Sequence, residues 1–251
     1  MNTQSLEKKV IVISGGTGYI GSCVAKVLAG EGASIAILYQ TQPPEKVEVL
    51  MSSLSGAGHK AYICDLRSED AVSAILVEIE KIQGNIYASI HTAGQKPLRK
   101  KILQTTYQEM IGQFESTAMT GFNFLSLCAK KMKEHGEGVI IGITTAGVVI
   151  PEASQALGAY TPAKYALQGV LTMLKQELLS HSVRVYSVAP GFMEGGMNSD
   201  IPKAFVEMIR QKSKGKKLTS AEEIAAIICN LCIGEQKEET KLTYVLAPEY
   251  E

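Results

Sequence analysis

Short, almost wholly apolar runs rich in Val and Ile recur along this 251-residue chain, and amphipathic stretches separate most of them. That alternation constrains the fold more than any other feature. Strands covered by helices on both faces read as continuous apolar runs, and parallel neighbours are joined by helical crossovers. Strands are expected over residues 9–14, 34–39, 60–64, 88–91, 139–144, 183–188 and 242–246. Helices are expected over 19–31, 45–54, 69–83, 106–133, 160–180, 203–212 and 220–232. Ser68 before Glu69 and Asp70, and Ser220 before Glu222 and Glu223, mark two helix starts by a capping hydroxyl and first-turn acids. No linker, repeat or low-complexity tract divides the sequence.

The first expected strand runs into Gly15-Gly16-Thr17-Gly18-Tyr19-Ile20-Gly21, which opens the first helix. In a strand–turn–helix context glycines permit a tight turn and let the backbone approach a pyrophosphate at the helix N-terminus. Gly15, Thr17, Gly18, Tyr19, Ile20 and Gly21 are therefore candidate dinucleotide contacts. With the alternation, this implies an α/β fold: a single dinucleotide-binding domain over residues 1–251. It would be a doubly wound sheet of about seven parallel strands with helices on both faces. Tyr39 ends the second strand, and the following Gln40-Thr41-Gln42 offers no acid to accept from a ribose 2′-hydroxyl. That favours NADP(H), with NAD(H) as the alternative because no arginine stands there to clamp a 2′-phosphate. Asp65, after the third strand, is placed either to hydrogen-bond an adenine amino group or simply to lead the next helix.

Tyr160 and Lys164 lie four residues apart at the start of an expected helix, so phenol and ammonium share a face. A phenol titrates near ~10, and a neighbouring ammonium lowers that value toward the range of efficient proton transfer. The plainer alternative is an ordinary i,i+4 surface pair. Pro162 fits a first helical turn. Formal net charge is zero, with 45% hydrophobic and 20% charged residues, the composition of an ordinary soluble globule. It points to no nucleic acid partner and no membrane, since there is neither a basic stripe nor an apolar run of ~20 residues. Residues 1–9 lack a signal-peptide pattern, and the five cysteines sit in apolar contexts, which together suggest a cytoplasmic protein with reduced thiols. Cys229 and Cys232 read as core packing, so no metal site is expected. The basic cluster over 210–217 reads as a solvated loop.

The glycine turn, Asp65-Leu66, Ala93-Gly94 after the fourth strand, Tyr160-x-x-x-Lys164 and Pro190-Gly191 occur together in an order that resembles the short-chain dehydrogenase/reductase superfamily. The likeness covers nearly the whole chain and is similar to the compact branch of ketone and 3-oxoacyl-thioester reductases. The resemblance implies a Rossmann-type sheet and an NAD(P)-dependent oxidoreductase in which Tyr160 is the proton donor. Lys164 would lower its pKa and hold the nicotinamide ribose. It implies Leu66, Ala93, Gly94, Pro190, Gly191 and Met193 as further cofactor contacts, and Thr145 at the serine position that orients the substrate oxygen, with Thr144 the alternative. It also implies a small-molecule carbonyl or alcohol substrate, a lid over about residues 192–217, and a homodimer or homotetramer packed through the long helices over 106–133 and 160–180.

Several positions depart from the family pattern. The glycines are spaced as in the extended, epimerase-type branch, and Tyr19 stands where a glycine is usual. The family's Asn-Asn-Ala-Gly reads His91-Thr92-Ala93-Gly94. The long-helix asparagine, which helps to hold a proton-relaying water in the family, aligns with Ala118, with Ser116, Thr117 or Asn123 as compensating candidates. The threonine that contacts the carboxamide aligns with Gly195. Ala118 and Gly195 motivate an alternative of another class, a dinucleotide-binding sensor or scaffold without turnover. Too little chain follows Pro190 for an epimerase substrate domain. The apolar Phe192, Met193 and Met197, and the lack of a basic pocket motif, favour a neutral or acyl-type substrate.

Overall fold

In the computed structural model of the protein, the described residues are 6–150, 157–213, 216–234 and 241–247. Seven strands form one sheet: β1 Val10–Ser14, β2 Ser34–Tyr39, β3 Lys60–Ile63, β4 Ile86–His91, β5 Gly138–Ile143, β6 Val183–Pro190 and β7 Thr243–Leu246. Their order is β3-β2-β1-β4-β5-β6-β7, and every neighbouring pair is parallel. All residues of β1 and β5 are buried, as runs covered on both faces must be. The helices are α1 Tyr19–Gly30, α2 Pro44–Ser52, α3 Glu69–Gln83, α4 Tyr107–Phe114, α5 Thr120–His135, α6 Tyr160–Glu177, α7 Lys203–Lys212 and α8 Ala221–Ile233.

Two apolar layers sandwich the sheet. One joins Val24 and Leu28 of α1 to Ile224 and Ile228 of α8 over Ile11, Ile13 and Ile141. The other joins Leu76 of α3, Phe124 of α5 and Leu167 and Leu171 of α6 over Val12, Ile140 and Val185. The expected caps form: Ser68 Oγ accepts from the Ala71 amide, and Ser220 makes a reciprocal capping box with Glu223. Expected and observed bounds of the strands and most helices agree within a residue or two.

The expected helix over 106–133 is not one helix. α4 and α5 are joined by a π-helical turn, Glu115–Met119. Such a turn inserts one residue and rotates the phase of the apolar repeat after it, a break too short to separate two helices in the pattern. In place of regular spacing it leaves Thr117, Ala118 and Gly121 buried beside α6 and β4. Gly121 permits that approach, because a Cβ there would lie 2.6 Å from Leu167 Cδ1 and 3.1 Å from His91 Nε2.

Between β1 and β4 the chain reverses its direction of winding: β2 and β3 lie on one side, β5 to β7 on the other. Loops leaving those two strands part in opposite directions and open a crevice at the carboxyl end of the sheet. Phe124, fully buried beneath that crevice, packs against the His91 ring with centroids 6.1 Å apart. Replacing Phe124 with Ala should cost about 3–5 kcal/mol. Urea unfolding checks it, and a loss below about 1 kcal/mol would contradict the packing described.

Candidate active site

A cleft of about 1190 Å³ occupies that crevice, lined from the ends of β1, β2, β3, β4, β5 and β6. Its floor is the glycine turn. Gly15 has φ +70° and lies so close to Ala93 that a Cβ would stand 2.7 Å from its Cα. A Cβ on Gly21 would lie 2.4 Å from the Gly15 carbonyl oxygen. The turn is therefore folded tightly against the β4 loop, and Gly18 starts α1 with no side-chain cap and no acid in the first turn. First-turn amides have no intrahelical acceptor, so this end of α1 presents donors and positive dipole to the cleft. Those features fit a dinucleotide pyrophosphate.

At one end of the cleft stand Tyr39, Gln40, Thr41, Lys46, Asp65 and Arg67. Asp65 is not free here. Its Oδ1 accepts from the Arg67 amide at 3.0 Å and from Arg67 Nε at 2.9 Å, and Oδ2 accepts from Nη2 at 2.7 Å. The Arg67 hydrogen bonds hold the Asp65 carboxyl down to about 2. Asp65 does not cap the next helix, whose cap is Ser68; it closes the turn ahead of it on the Arg67 amide. An arginine does reach this end of the cleft: Arg67 arrives from the turn after β3, not from the segment after β2.

At the other end are Ile143, Thr144, Thr145, Tyr160, Pro190, Gly191 and Met193. The two threonines differ in what they do. Thr144 is buried and its hydroxyl is 2.8 Å from Ser187 Oγ, which in turn donates to Gln168 Oε1 at 2.6 Å. Thr145 is half-buried at the head of a short 3₁₀ turn, with no side-chain capping bond. Leu66, Ala93, Gly94, Thr17, Ile20 and Tyr19 also line the cleft. Tyr19 is packed beneath the segment after β6: a Cβ on Gly196 would lie 2.9 Å from Tyr19 Cβ.

Tyr160 opens α6, and Lys164 lies one turn on and 5% exposed. Lys164 Nζ donates to the Ile143 carbonyl at 2.7 Å and stands 5.6 Å from the Tyr160 ring centroid. Burial lowers the ammonium to about 8 and pushes the phenol up to about 12. This corrects the expectation that Lys164 depresses Tyr160 in the free protein. Desolvation disfavours both charged forms, and the amine loses its proton before the phenol does, so little field remains to stabilise a phenolate.

The residues expected to compensate for Ala118 are separated by the structure. Asn123 donates Nδ2 to the Leu66 carbonyl at 2.8 Å, and Ser116 Oγ donates to its own helix at Gln113 O. Thr117 Oγ1 is buried without a hydrogen-bond partner, 3.8 Å from where a Cβ on Gly94 would stand. His91 is fully buried, with Nδ1 2.8 Å from Ser14 Oγ. Among the described residues no cluster of His, Cys, Asp and Glu could hold a metal, and no helix is long and apolar enough to cross a membrane. Cys229 and Cys232 are buried in the core.

A family model described as Enoyl-(Acyl carrier protein) reductase matches residues 17–240. The chain belongs to the short-chain dehydrogenase/reductase superfamily and is an NAD(P)-dependent oxidoreductase. It is 29% identical over 248 residues to a 2,3-dihydro-2,3-dihydroxybenzoate dehydrogenase of Bacillus subtilis, covering 94% of this chain and 93% of that protein. It is 28% identical over 194 residues to a 3-oxoacyl-[acyl-carrier-protein] reductase of Bos taurus, covering 77% and 79%. The fold is similar to that of an NAD+-bound xylitol dehydrogenase, with TM-score 0.88, 21% identity and coverage of 97% and 99%. It is also similar to an NADPH-dependent 3-quinuclidinone reductase from Rhodotorula rubra, with TM-score 0.86, 23% identity and coverage of 98% and 92%.

Burial, aided by the nearby Lys164 charge, holds His91 down to about 3. In the unfolded chain it titrates near ~6.5, so between those values unfolding takes up a proton and stability falls as pH is lowered. The slope from this group approaches about 1.4 kcal/mol per pH unit. Urea unfolding at pH 7 and pH 5 should show His91→Asn losing less stability on acidification than the native protein; equal losses would contradict the assignment.

Proposed function

We propose that the protein reduces a ketone or 3-oxoacyl-type carbonyl to an alcohol, with NADP(H) favoured over NAD(H). The observation that carries this is half-buried Tyr160 over buried Lys164 at the start of α6 beside Thr145, at one end of a cleft floored by the glycine turn. When bound, the reduced nicotinamide supplies a hydride to the carbonyl carbon. Thr145 donates its free hydroxyl to the substrate oxygen and orients it. Tyr160 keeps its proton at neutral pH, since its phenol lies near about 12, and releases it to the incipient alkoxide. Lys164 is held by the Ile143 carbonyl and has two further donors for a ribose hydroxyl and the phenol oxygen. Pro190, Gly191, Phe192, Met193 and Met197 line this end as the start of a lid, and residues 214–215 of the expected lid lie outside the described residues.

Two features support the NADP(H) preference. No acid follows Tyr39, and Arg67 and Lys46 line the same end of the cleft as Gln40 and Thr41. Arg67 commits Nε and Nη2 to Asp65, which leaves Nη1 for a 2′-phosphate. The likeness to a 3-oxoacyl reductase supports a carbonyl substrate. Exposed apolar residues on the helices beside the site, Met119 and Phe122 on one side and Tyr165 and Met173 on α6, support a homodimer or homotetramer packed there.

Tyr160→Phe should lower turnover of ketones or 3-oxoacyl thioesters by about 10²–10⁴-fold while NADPH binding, followed by fluorescence, barely changes. Retained turnover would sink the mechanism. NADPH binding with no turnover across the panel would favour the sensor alternative that Ala118 and Gly195 suggest. Arg67→Ala should weaken NADPH binding by roughly tenfold and NADH binding little; equal loss for both cofactors would remove Arg67 from 2′-phosphate recognition.

A further inference from the structure

The reaction end of the cleft carries positive charge that the chemistry above does not use. After β4 the chain arches over this end. The Gly158 amide, two residues before Tyr160, donates to the Lys100 carbonyl at 2.8 Å. A side chain at 158 would not fit, because a Cβ there would lie 2.6 Å from the Ile102 amide nitrogen. From the opposite wall Asn198 reaches the same arch. Its Nδ2 donates to the Met193 carbonyl at 2.7 Å, which fixes the outward direction of Oδ1, and Oδ1 accepts from Arg99 Nη2 at 2.7 Å. Arg99 is therefore held between the two walls of the reaction end, and both Arg99 and Lys96 line the cleft.

Charges on this arch do not balance. Lys96 pairs with Asp200 at 2.9 Å. The Asp200 carboxyl is held below its usual range first by that hydrogen bond and also by the field of Arg99. One carboxylate thus faces two cations, and among the described residues none lies within ion-pair distance of Arg99. A guanidinium has five donors in a rigid fork, and here the recorded partner is a neutral amide on one of them. To hold two loops together a neutral side chain would serve equally well. Arg99 is exposed on the rim of the cleft, and a fork held there by Asn198 matches a carboxylate bidentately.

We propose that Arg99, assisted by Lys96, binds a carboxylate at the end of the substrate remote from the reacting carbon, so that the preferred substrates are oxo acids or hydroxy acids. This rests on the redox reading above, since it names the substrate class of the same site. It also replaces the expectation of a neutral substrate: Lys96 and Arg99 form no motif in sequence, and only the fold of the arch brings them to the cleft. Calorimetric titration of the full-length protein, alone and saturated with NADP+ so that no reduction can occur, would use levulinate and benzoate against their amides. In the native protein at least one acid should bind about tenfold or more tightly than its amide. That gap should shrink to under about twofold in Arg99→Gln, survive partly in Arg99→Lys, and persist in the remote charge control Lys133→Gln. Equal binding of acid and amide, no binding of either acid, or a gap that survives in Arg99→Gln would overturn the proposal. If NADP+ fails to bind while the acid–amide gap remains, the carboxylate site stands and the redox reading falls.

Discussion

Dehydration of one ammonium organises the reaction end of this molecule. Lys164 is buried with its charge held by a single carbonyl at the end of β5, and burial brings it to about 8. At neutral pH it remains a cation in a poorly solvated place, which is costly unless the surroundings are polar and fixed. The same burial acts on its neighbours. His91 stays neutral, and Tyr160 keeps its proton. A charged imidazole would add a second buried cation beside Lys164, whereas the phenol stays neutral through desolvation against the pull of that cation.

The scaffold makes that arrangement durable. β4 and β5 bring His91 and Ile143 to the same edge of the sheet in register, with His91 opposite Gly142. Gly121 and Gly142 then let α5 and α6 settle close, since a Cβ at either would lie 2.6 Å from Leu167 or Leu171. On the other side of the crevice, Gly15 and Gly21 press the first turn against Ala93 and leave the start of α1 open. The cofactor floor and the proton-handling end are therefore both set by backbone approaches that tolerate no side chain.

Much of this was legible in the chain. Apolar runs covered on both faces identify parallel strands directly, and the glycine turn lies where strand and helix patterns meet. Tyr160 and Lys164 were readable because four residues make one helical turn. What escaped was what sequence spacing does not encode. The π turn at Glu115–Met119 shifts the apolar repeat by a single residue, too brief a break to mark two helices. Arg67, Lys96 and Arg99 belong to loops, and only tertiary folding assigns them to the two ends of one cleft. The direction of the Tyr160 shift was also missed, because adjacency suggests attraction whereas desolvation depends on burial.

The central claim is that burial, and not the lysine charge, governs the acid strength of Tyr160 in the free protein. Carbon-13 NMR of protein labelled at tyrosine Cζ, with the Tyr160 signal assigned by its loss in Tyr160→Phe, reads that ionisation directly. The account predicts that Tyr160 is still a neutral phenol at pH 10, where an unperturbed tyrosine is about half ionised. A phenolate signal from Tyr160 appearing at about pH 9 or below, under the unperturbed value, would contradict it.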